Sequence, residues 1–400
     1  MIVKKFTILT TLAASFWMPN AVAQNTPKVA AIVITDCYHP YQDPGDNLDL
    51  IQGYALPDVD LRGIILDITD AFRKDTADHP TLWKDPGGPR EAGIVPVEQL
   101  NYIFNRNVPF AVGPMSQMNS ETDAMKAIPA FQQEGVNLFL KLLKSSTEPV
   151  EVLSFGSARV LAVAFNREPE LLRMKIKRIH LCAGTATRNG GTGSDQGVDA
   201  IPGGEWNVAL DVFAFTRILK SGLPVALYPC AGENGVFATD VNSSYWKLKD
   251  MSFLREMHPK LQCYLDYAFS KKLQYDFLRA MDQDGPYRMG RKIQFDQFHV
   301  WETAVWLKAT GRELIKDSRG KYAIVKHDQV KDSDTLLPND LRPCKLTEIR
   351  NDGHFCFEYT KKQSNITIYY RPNPQQNEKA LNMAVPELYK TFNPSNIKSN

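Results

Sequence analysis

An almost unbroken apolar run, Val29-Ala-Ala-Ile-Val-Ile-Thr35, gives way at once to Asp36-Cys-Tyr-His-Pro-Tyr-Gln-Asp43-Pro-Gly-Asp46-Asn47-Leu-Asp49-Leu, a stretch with four aspartates. The run suits a strand buried on both faces of a parallel sheet. Leu48, Leu50, Ile51 and Ala55 then recur at helical spacing until Pro57, so Asp46 or Asn47 can cap a helix. The acids therefore fall in the crevice beyond the carboxyl end of a strand, where open α/β sheets bind ligands. Carboxylates held this close repel unless a cation or a raised pKa relieves them. An all-oxygen donor set suits a hard ion, Ca2+ ahead of Mg2+. The competing reading is a plain turn at Asp43-Pro-Gly with Asp46 as N-cap, since these residue types favour turns on their own account.

Strand and helix signals alternate from there on. Val59 to Asp70 reads as a second strand ending at Asp67 or Asp70, Asp85 to Arg90 as a loop, and Val97 to Phe104 as a short helix. Val108 to Gly113 is a third strand, Phe131 to Ser145 an amphipathic helix, and Pro149 to Gly156 a fourth strand leading into a helix over Ala158 to Phe165. Ile176 to Gly184, a Gly-rich loop, a helix over Val208 to Leu219 and a sixth strand over Pro224 to Pro229 follow. This alternation predicts an α/β fold, a doubly wound and mostly parallel sheet. From about Thr335 the rhythm changes, and Gly353 to Thr360 and Asn365 to Arg371 alternate like the two strands of a hairpin. The expected division is residues 1–23, an α/β domain over 24–334, and a small β appendage with a polar, frayed tail over 335–400.

Met1 to Ala23 reads as a secretory signal: Lys4-Lys5, an apolar run from Phe6 to Met18, then Ala21-Val-Ala23. The run is too short and interrupted to span a bilayer. An exported protein, periplasmic or extracellular, is the expectation. Lys and Arg number 47 against 45 Asp and Glu, a balance that points to neither a nucleic-acid nor a membrane partner. The sequence leaves the oligomeric state open, a homo-oligomer included. Of the six cysteines only Cys344 and Cys356 lie close in sequence, and none forms a C-x-x-C pair. The others fall in apolar segments and read as small buried hydrophobes.

Two further stretches carry chemistry. Ile201-Pro-Gly-Gly-Glu205-Trp206-Asn207-Val-Ala-Leu-Asp211 runs from a Gly-rich loop into a helix. Glu205 can accept from sugar hydroxyls and Asn207 can donate and accept; the alternative is a cap at Asn207 with Glu205 in water. Phe295 to Leu307 has the pattern of an amphipathic helix with Phe298, Trp301 and Val305 on one side and Glu302 beside them. A carboxylate on an apolar face calls for a cation or a hydrogen-bonding ligand. His299 reads more readily as a packed histidine than as a catalyst.

Together these segments resemble the inosine-uridine-preferring nucleoside hydrolase family, collinearly from Lys28 to about Leu314. Pro57-Asp-Val-Asp-Leu-Arg-Gly-Ile64 is similar to the family's second strand, Ser154-Phe-Gly-Ser-Ala-Arg159 to its T-G-P-L-T-N turn, and Glu205-Trp206-Asn207 with Asp211 matches its E-[FW]-N-x-x-x-D motif residue for residue. The resemblance implies the nucleoside hydrolase type of fold and Ca2+-dependent cleavage of the N-glycosidic bond of a nucleoside or related riboside. Counting back from Pro57 places Asp46 on the bidentate metal aspartate. Asp43 is then the water-activating base and a ligand, with Asp36 and Asp49 as alternatives. Glu302 and the main-chain carbonyl near Phe155 complete the metal set. Asp46, Asn47, Asp70, Glu205, Trp206, Asn207, His299 and Trp301 would surround the substrate.

The opening motif departs from the family's compact D-x-D-P-G-x-D-D, because residues 38–42 intervene between Asp36 and Asp43, and Trp301 replaces the family's histidine acid. Two other readings stay open: an exported riboside-binding protein without turnover, and a hydrolase of another pentoside.

Overall fold

Buried apolar runs and amphipathic segments alternate because each parallel strand must return by a crossover, and the helix that makes it buries one stripe on the sheet. The computed structural model describes residues 28–39, 44–70, 91–187, 205–269, 276–283, 297–350 and 354–396. The expected leader, Asp43, the loop at 85–90 and most of the Gly-rich stretch before Glu205 lie outside these residues.

The chain passes through β1 (Val29–Thr35), β2 (Tyr38–His39), α1 (Pro44–Ala55), β3 (Val59–Leu66), β4 (Glu91–Ala92), α2 (Ile94–Phe104) and β5 (Phe110–Val112). Next come α3 (Glu134–Ser145), β6 (Val150–Ser154), α4 (Arg159–Arg167), α5 (Pro169–Lys175), β7 (Ile176–Leu181), β8 (Thr185–Thr187), α6 (Trp206–Leu210), α7 (Val212–Leu219) and β9 (Val225–Leu227). The last part holds β10 (Trp246–Leu248), α8 (Pro259–Phe269), β11 (Phe298–Val300), α9 (Thr303–Ala309), β12 (Arg312–Lys316), β13 (Tyr322–Lys326), β14 (Thr335–Leu337), β15 (Asp340–Ile349), β16 (His354–Tyr359), β17 (Ile366–Tyr370) and α10 (Pro374–Lys390).

A ten-stranded sheet in the order β5-β3-β1-β6-β7-β9-β17-β15-β16-β8 forms the centre. It is parallel from β5 through β17, as the alternation predicts. Two apolar layers sandwich it. On one, Val136, Phe139, Leu140 and Leu143 of α3, at helical spacing, share a core with Val152, Val160 and Ile179. On the other, Ile51 and Tyr54 of α1 join Leu100, Tyr264 and Trp306.

The C-terminal segment differs from expectation in three ways. β16 and β17 do not pair as a hairpin; β15 lies between them, antiparallel to both. β17 also pairs in parallel with β9, so this segment extends the main sheet. The expected frayed tail contains α10, opened by an Asn373 cap that accepts from the Gln376 amide at 3.0 Å. Its Ala380, Leu381, Ala384 and Val385 are buried as one stripe, and Tyr389 Oη donates to the Leu48 carbonyl of α1 at 2.9 Å. The Gln, Asn, Glu and Lys residues on its outer face disguise that stripe in the sequence.

Two helices also differ. Residues 298–300 pair with β10 as an antiparallel strand, in keeping with their aromatic and β-branched content, and α9 begins only at Thr303. The helix expected over 208–219 breaks at Asp211, whose backbone is extended and whose side chain caps α7 through the Ala214 amide. Among the described residues no helix is long and apolar enough to cross a membrane.

Candidate active site

The strand order reverses beside β1. The chain leaves β1 for β3 and β5 on one side and returns to β6 on the other. The crevice outside the carboxyl ends of β1 and β6 is thus the switch point where such sheets place ligands. Asp36 follows β1, and Phe155 and Gly156 follow β6. Their approach is close: a Cβ on Gly156 would lie 2.9 Å from the Asp36 nitrogen, 3.0 Å from its Cβ and 3.2 Å from an Asp67 carboxylate oxygen. Only glycine fits there. Gly156→Ala is expected to force the two strand ends apart, lowering stability by about 1–3 kcal/mol, the usual cost of overpacking. Denaturant midpoints of the two proteins check this, and an unchanged midpoint would show that the contact relaxes freely.

The Glu205-Trp206-Asn207 motif is folded onto this crevice. Glu205 is the N-cap of α6, accepting from the amides of Asn207 at 3.0 Å and Val208 at 3.2 Å, and also from the Gly184 amide at 2.8 Å. It is buried, so the alternative of an Asn207 cap with a solvated Glu205 is not what forms. Burial pushes its pKa up, against these three amides and a hydrogen bond with the Cys230 thiol. An ionised carboxylate offers about four acceptor positions, and this set occupies them. Trp206 donates its indole N–H to Asp36 Oδ2 at 2.8 Å, tying the motif to the end of β1. Asn207 Nδ2 donates to the Cys182 carbonyl at 2.8 Å and, at 3.4 Å, to the Phe155 carbonyl. Asn207 thereby bridges the carboxyl ends of β6 and β7.

The acids of α1 occupy its first turns. Asp46 is buried there; Asn47 is fully buried, its Oδ1 accepting from Tyr264 Oη at 2.7 Å. Asp49 is buried and accepts from Gln52 at 3.2 Å. Asp70, by contrast, is exposed at the end of the segment after β3, its amide donating to the Met115 carbonyl.

A third wall comes from the segment before α9. Glu302 is buried, and its Oε2 accepts from the Trp301 amide at 3.0 Å. Trp301 Nε1 donates to the Cys230 carbonyl at 2.9 Å, which joins this segment to the strand end beside Glu205. His299 lies on β11 with its Nδ1 2.8 Å from Tyr245 Oη, and its ring is 4.6 Å from that of Phe237. Burial, then nearby Lys247, lower its pKa, so the imidazole is uncharged at neutral pH. Phe237, Tyr245, His299 and Trp301 form one aromatic group, with Phe237 exposed. Phe237 and Tyr245 carry no sequence signal of their own.

The six cysteines are all buried thiols. Cys344 and Cys356 are not opposite each other in the β15–β16 ladder, whereas Cys182 and Cys230 have their sulfurs 3.7 Å apart beneath the motif.

The sequence pattern does not group a buried charge cluster that the fold assembles. Arg159, entirely buried, lies 3.4 Å from Asp67 and 3.3 Å from Asp211, which are buried as well. The signal is visible afterwards in Leu66-Asp67-Ile68, Ala158-Arg159-Val160 and Leu210-Asp211-Val212, single charges inside apolar runs.

The carboxylates of Asp36, Asp46 and Glu302, the Phe155 carbonyl and the Asn207 amide are hard oxygen donors of the kind Ca2+ takes. Among the described residues no three His, Cys, Asp or Glu side chains are grouped to hold a metal ion.

No family model matches the chain. Over 205 residues, 50% of this chain and 60% of the relative, it is 26% identical to the pyrimidine-specific ribonucleoside hydrolase RihA of Salmonella enteritidis PT4. A protein of the same name from Salmonella typhi is 27% identical over 207 residues, with the same coverage. The chain therefore spans 60% of the length of these relatives. Among solved structures it is similar to an inosine-guanosine nucleoside hydrolase, at a TM-score of 0.49 and 14% identity, covering 89% of this chain and 98% of that one. An inosine-uridine preferring nucleoside hydrolase from Bacillus anthracis gives a TM-score of 0.43 at 12% identity, covering 88% and 97%.

Proposed function

We propose that this chain is an exported, Ca2+-dependent N-ribohydrolase that cleaves the N-glycosidic bond of ribonucleosides to ribose and free base. The observation that carries the reading is the Glu205-Trp206-Asn207 motif set into the switch-point crevice, with Trp206 on Asp36 and Asn207 spanning two strand ends. The named activity of the relatives, ribonucleoside hydrolysis, supports the same reading.

Asp46, Asp49, Glu302, the Phe155 carbonyl and Asp43 are the proposed holders of the ion. Bound there, Ca2+ would supply a water of lowered pKa. Asp43 or Asp36 would be the carboxylate that accepts a proton at this site. Asn207 has both amide protons engaged by carbonyls, so its Oδ1 is the group left to accept from a ribose hydroxyl. Carboxylates around the sugar favour an oxocarbenium-like transition state. Trp301, Phe237 and the uncharged His299 offer ring faces to the departing base. Export implies a mature chain starting at Gln24, which N-terminal sequencing of the secreted protein checks.

One observation favours a second reading, a riboside-binding protein without turnover: the acceptor positions of Glu205 are already engaged. Release of reducing ribose from a panel of purine and pyrimidine nucleosides, with Ca2+ and then with chelator, decides between them. Release that the chelator abolishes is the expected result. Release unaffected by chelator removes the metal from the proposal. Calorimetric nucleoside binding without release selects the second reading, and activity on other pentosides alone changes the substrate class.

A further inference from the structure

We infer that Arg159 is a positioning residue for this site, a buried guanidinium that fixes the Asn207 segment against the strand ends without touching substrate. The inference rests on the proposed riboside site. Arg159 opens α4, directly after the turn that carries Phe155 and Gly156, and its side chain is fully buried. A charge there needs compensation from every side. Nη1 donates to the carbonyls of Pro114 at 3.0 Å and Ser116 at 3.2 Å, and Nη2 donates to the hydroxyls of Ser157 at 3.2 Å and Thr69. The carboxylates of Asp67 and Asp211 flank it at 3.4 and 3.3 Å.

Each of these partners is anchored in turn. Asp67 accepts from the Ser157 amide at 2.9 Å; Asp211 accepts from the amides of Met118 at 2.9 Å and Ala214 at 3.1 Å. Gln117 donates to the carbonyls of Ala209 and Leu210 at 3.0 and 3.1 Å. One cation thus gathers the segment after β3, the 114–118 loop, the turn after β6 and the junction of α6 with α7. Asp211 ends α6 and Asn207 lies in its first turn. A helix this short moves as one piece, so the place of Asp211 sets the place of Asn207.

Lysine keeps the charge but lacks the planar fork that reaches both carboxylates and both carbonyls. Arg159→Lys is expected to lower kcat/KM for the wild type's best nucleoside by about tenfold to a hundredfold, mostly through a higher KM, the scale of a displacement near 1 Å. In the same protein the amides of Asn207 and Val208 should exchange with deuterium about tenfold faster, while those of Val152 and Leu153 keep wild-type protection. Exchange at Asn207 and Val208 as slow as in the wild type, with unchanged kinetics, overturns the inference. Uniform acceleration across the whole chain overturns it too, because the role is then only stability. If the wild type releases no ribose from any nucleoside, the proposed function fails and the exchange pattern alone decides. If Arg159→Lys does not fold, Asp211→Asn, which retains an acceptor for the Ala214 amide, is measured in the same two ways.

Discussion

Asn207→Ala is expected to lower kcat/KM for the preferred nucleoside by about 10²–10³-fold, the usual effect of deleting one preorganised polar group at a reacting centre. The size follows from what the amide does. Its nitrogen donates to the Cys182 carbonyl at 2.8 Å and to the Phe155 carbonyl at 3.4 Å, so it fixes two strand ends and presents Oδ1 at a set height above them. Alanine removes the acceptor and releases both carbonyls. The short bond to Cys182 accounts for most of the accompanying loss of stability, about 1–3 kcal/mol for a buried acceptor left unpaired. Asn207→Asp separates shape from hydrogen bonding. An ionised aspartate has no donor and would set its charge against two carbonyl oxygens, so it should be at least as damaging as alanine. Turnover retained in the aspartate variant would exclude the role assigned to the amide.

The aspartate-rich strand end was legible because its residue types are scarce in a parallel sheet except at the ligand-binding crevice. The strand-helix alternation likewise fixed which edge of the sheet carries chemistry, since β1, β3, β5, β6, β7 and β9 all run the same way. The Glu205-Trp206-Asn207 stretch was legible as a motif, yet its geometry was not. Whether Glu205 or Asn207 caps α6 depends on Gly184, which lies far away in sequence and supplies a third amide to Glu205. Local composition carries no trace of that contact. The same holds for Phe298 to Val300, whose strand character depends on pairing with Trp246 to Leu248 across fifty residues of chain. Helical spacing of apolar side chains is satisfied equally by a short strand and a two-residue link into a helix, and the partner decides between them.

The charge cluster around Arg159 and the ion pair between Arg312 and Asp58 show the same limit from another side, because a single charge in an apolar run announces burial without naming its partner. Arg312, at the start of β12, makes a bidentate pair with Asp58 at 2.7 and 2.9 Å, and both are buried. Asp58 precedes β3, so this pair joins the small antiparallel sheet of β12, β13 and β14 to the central one. Arg312→Met is expected to destabilise the protein at pH 7 toward the lower end of the roughly 3–5 kcal/mol typical of a broken buried pair. The lower end applies because Lys326 remains 3.4 Å from Asp58. Burial by itself would raise the Asp58 pKa, but hydrogen bonds and charge from Arg312, with Lys326 behind it, hold it below the usual carboxylate range. A depressed folded-state pKa contributes stability above the unfolded value, near 3.9, and loses it as the pH falls through the folded value. The gap between wild type and Arg312→Met should therefore be widest at neutral pH and narrow on going to pH 3, as protonation removes the charge that the variant leaves unpaired. Urea midpoints of both proteins at the two pH values give the gap directly. A gap of the same size at both would mean that Arg312 contributes through its packing and not through Asp58.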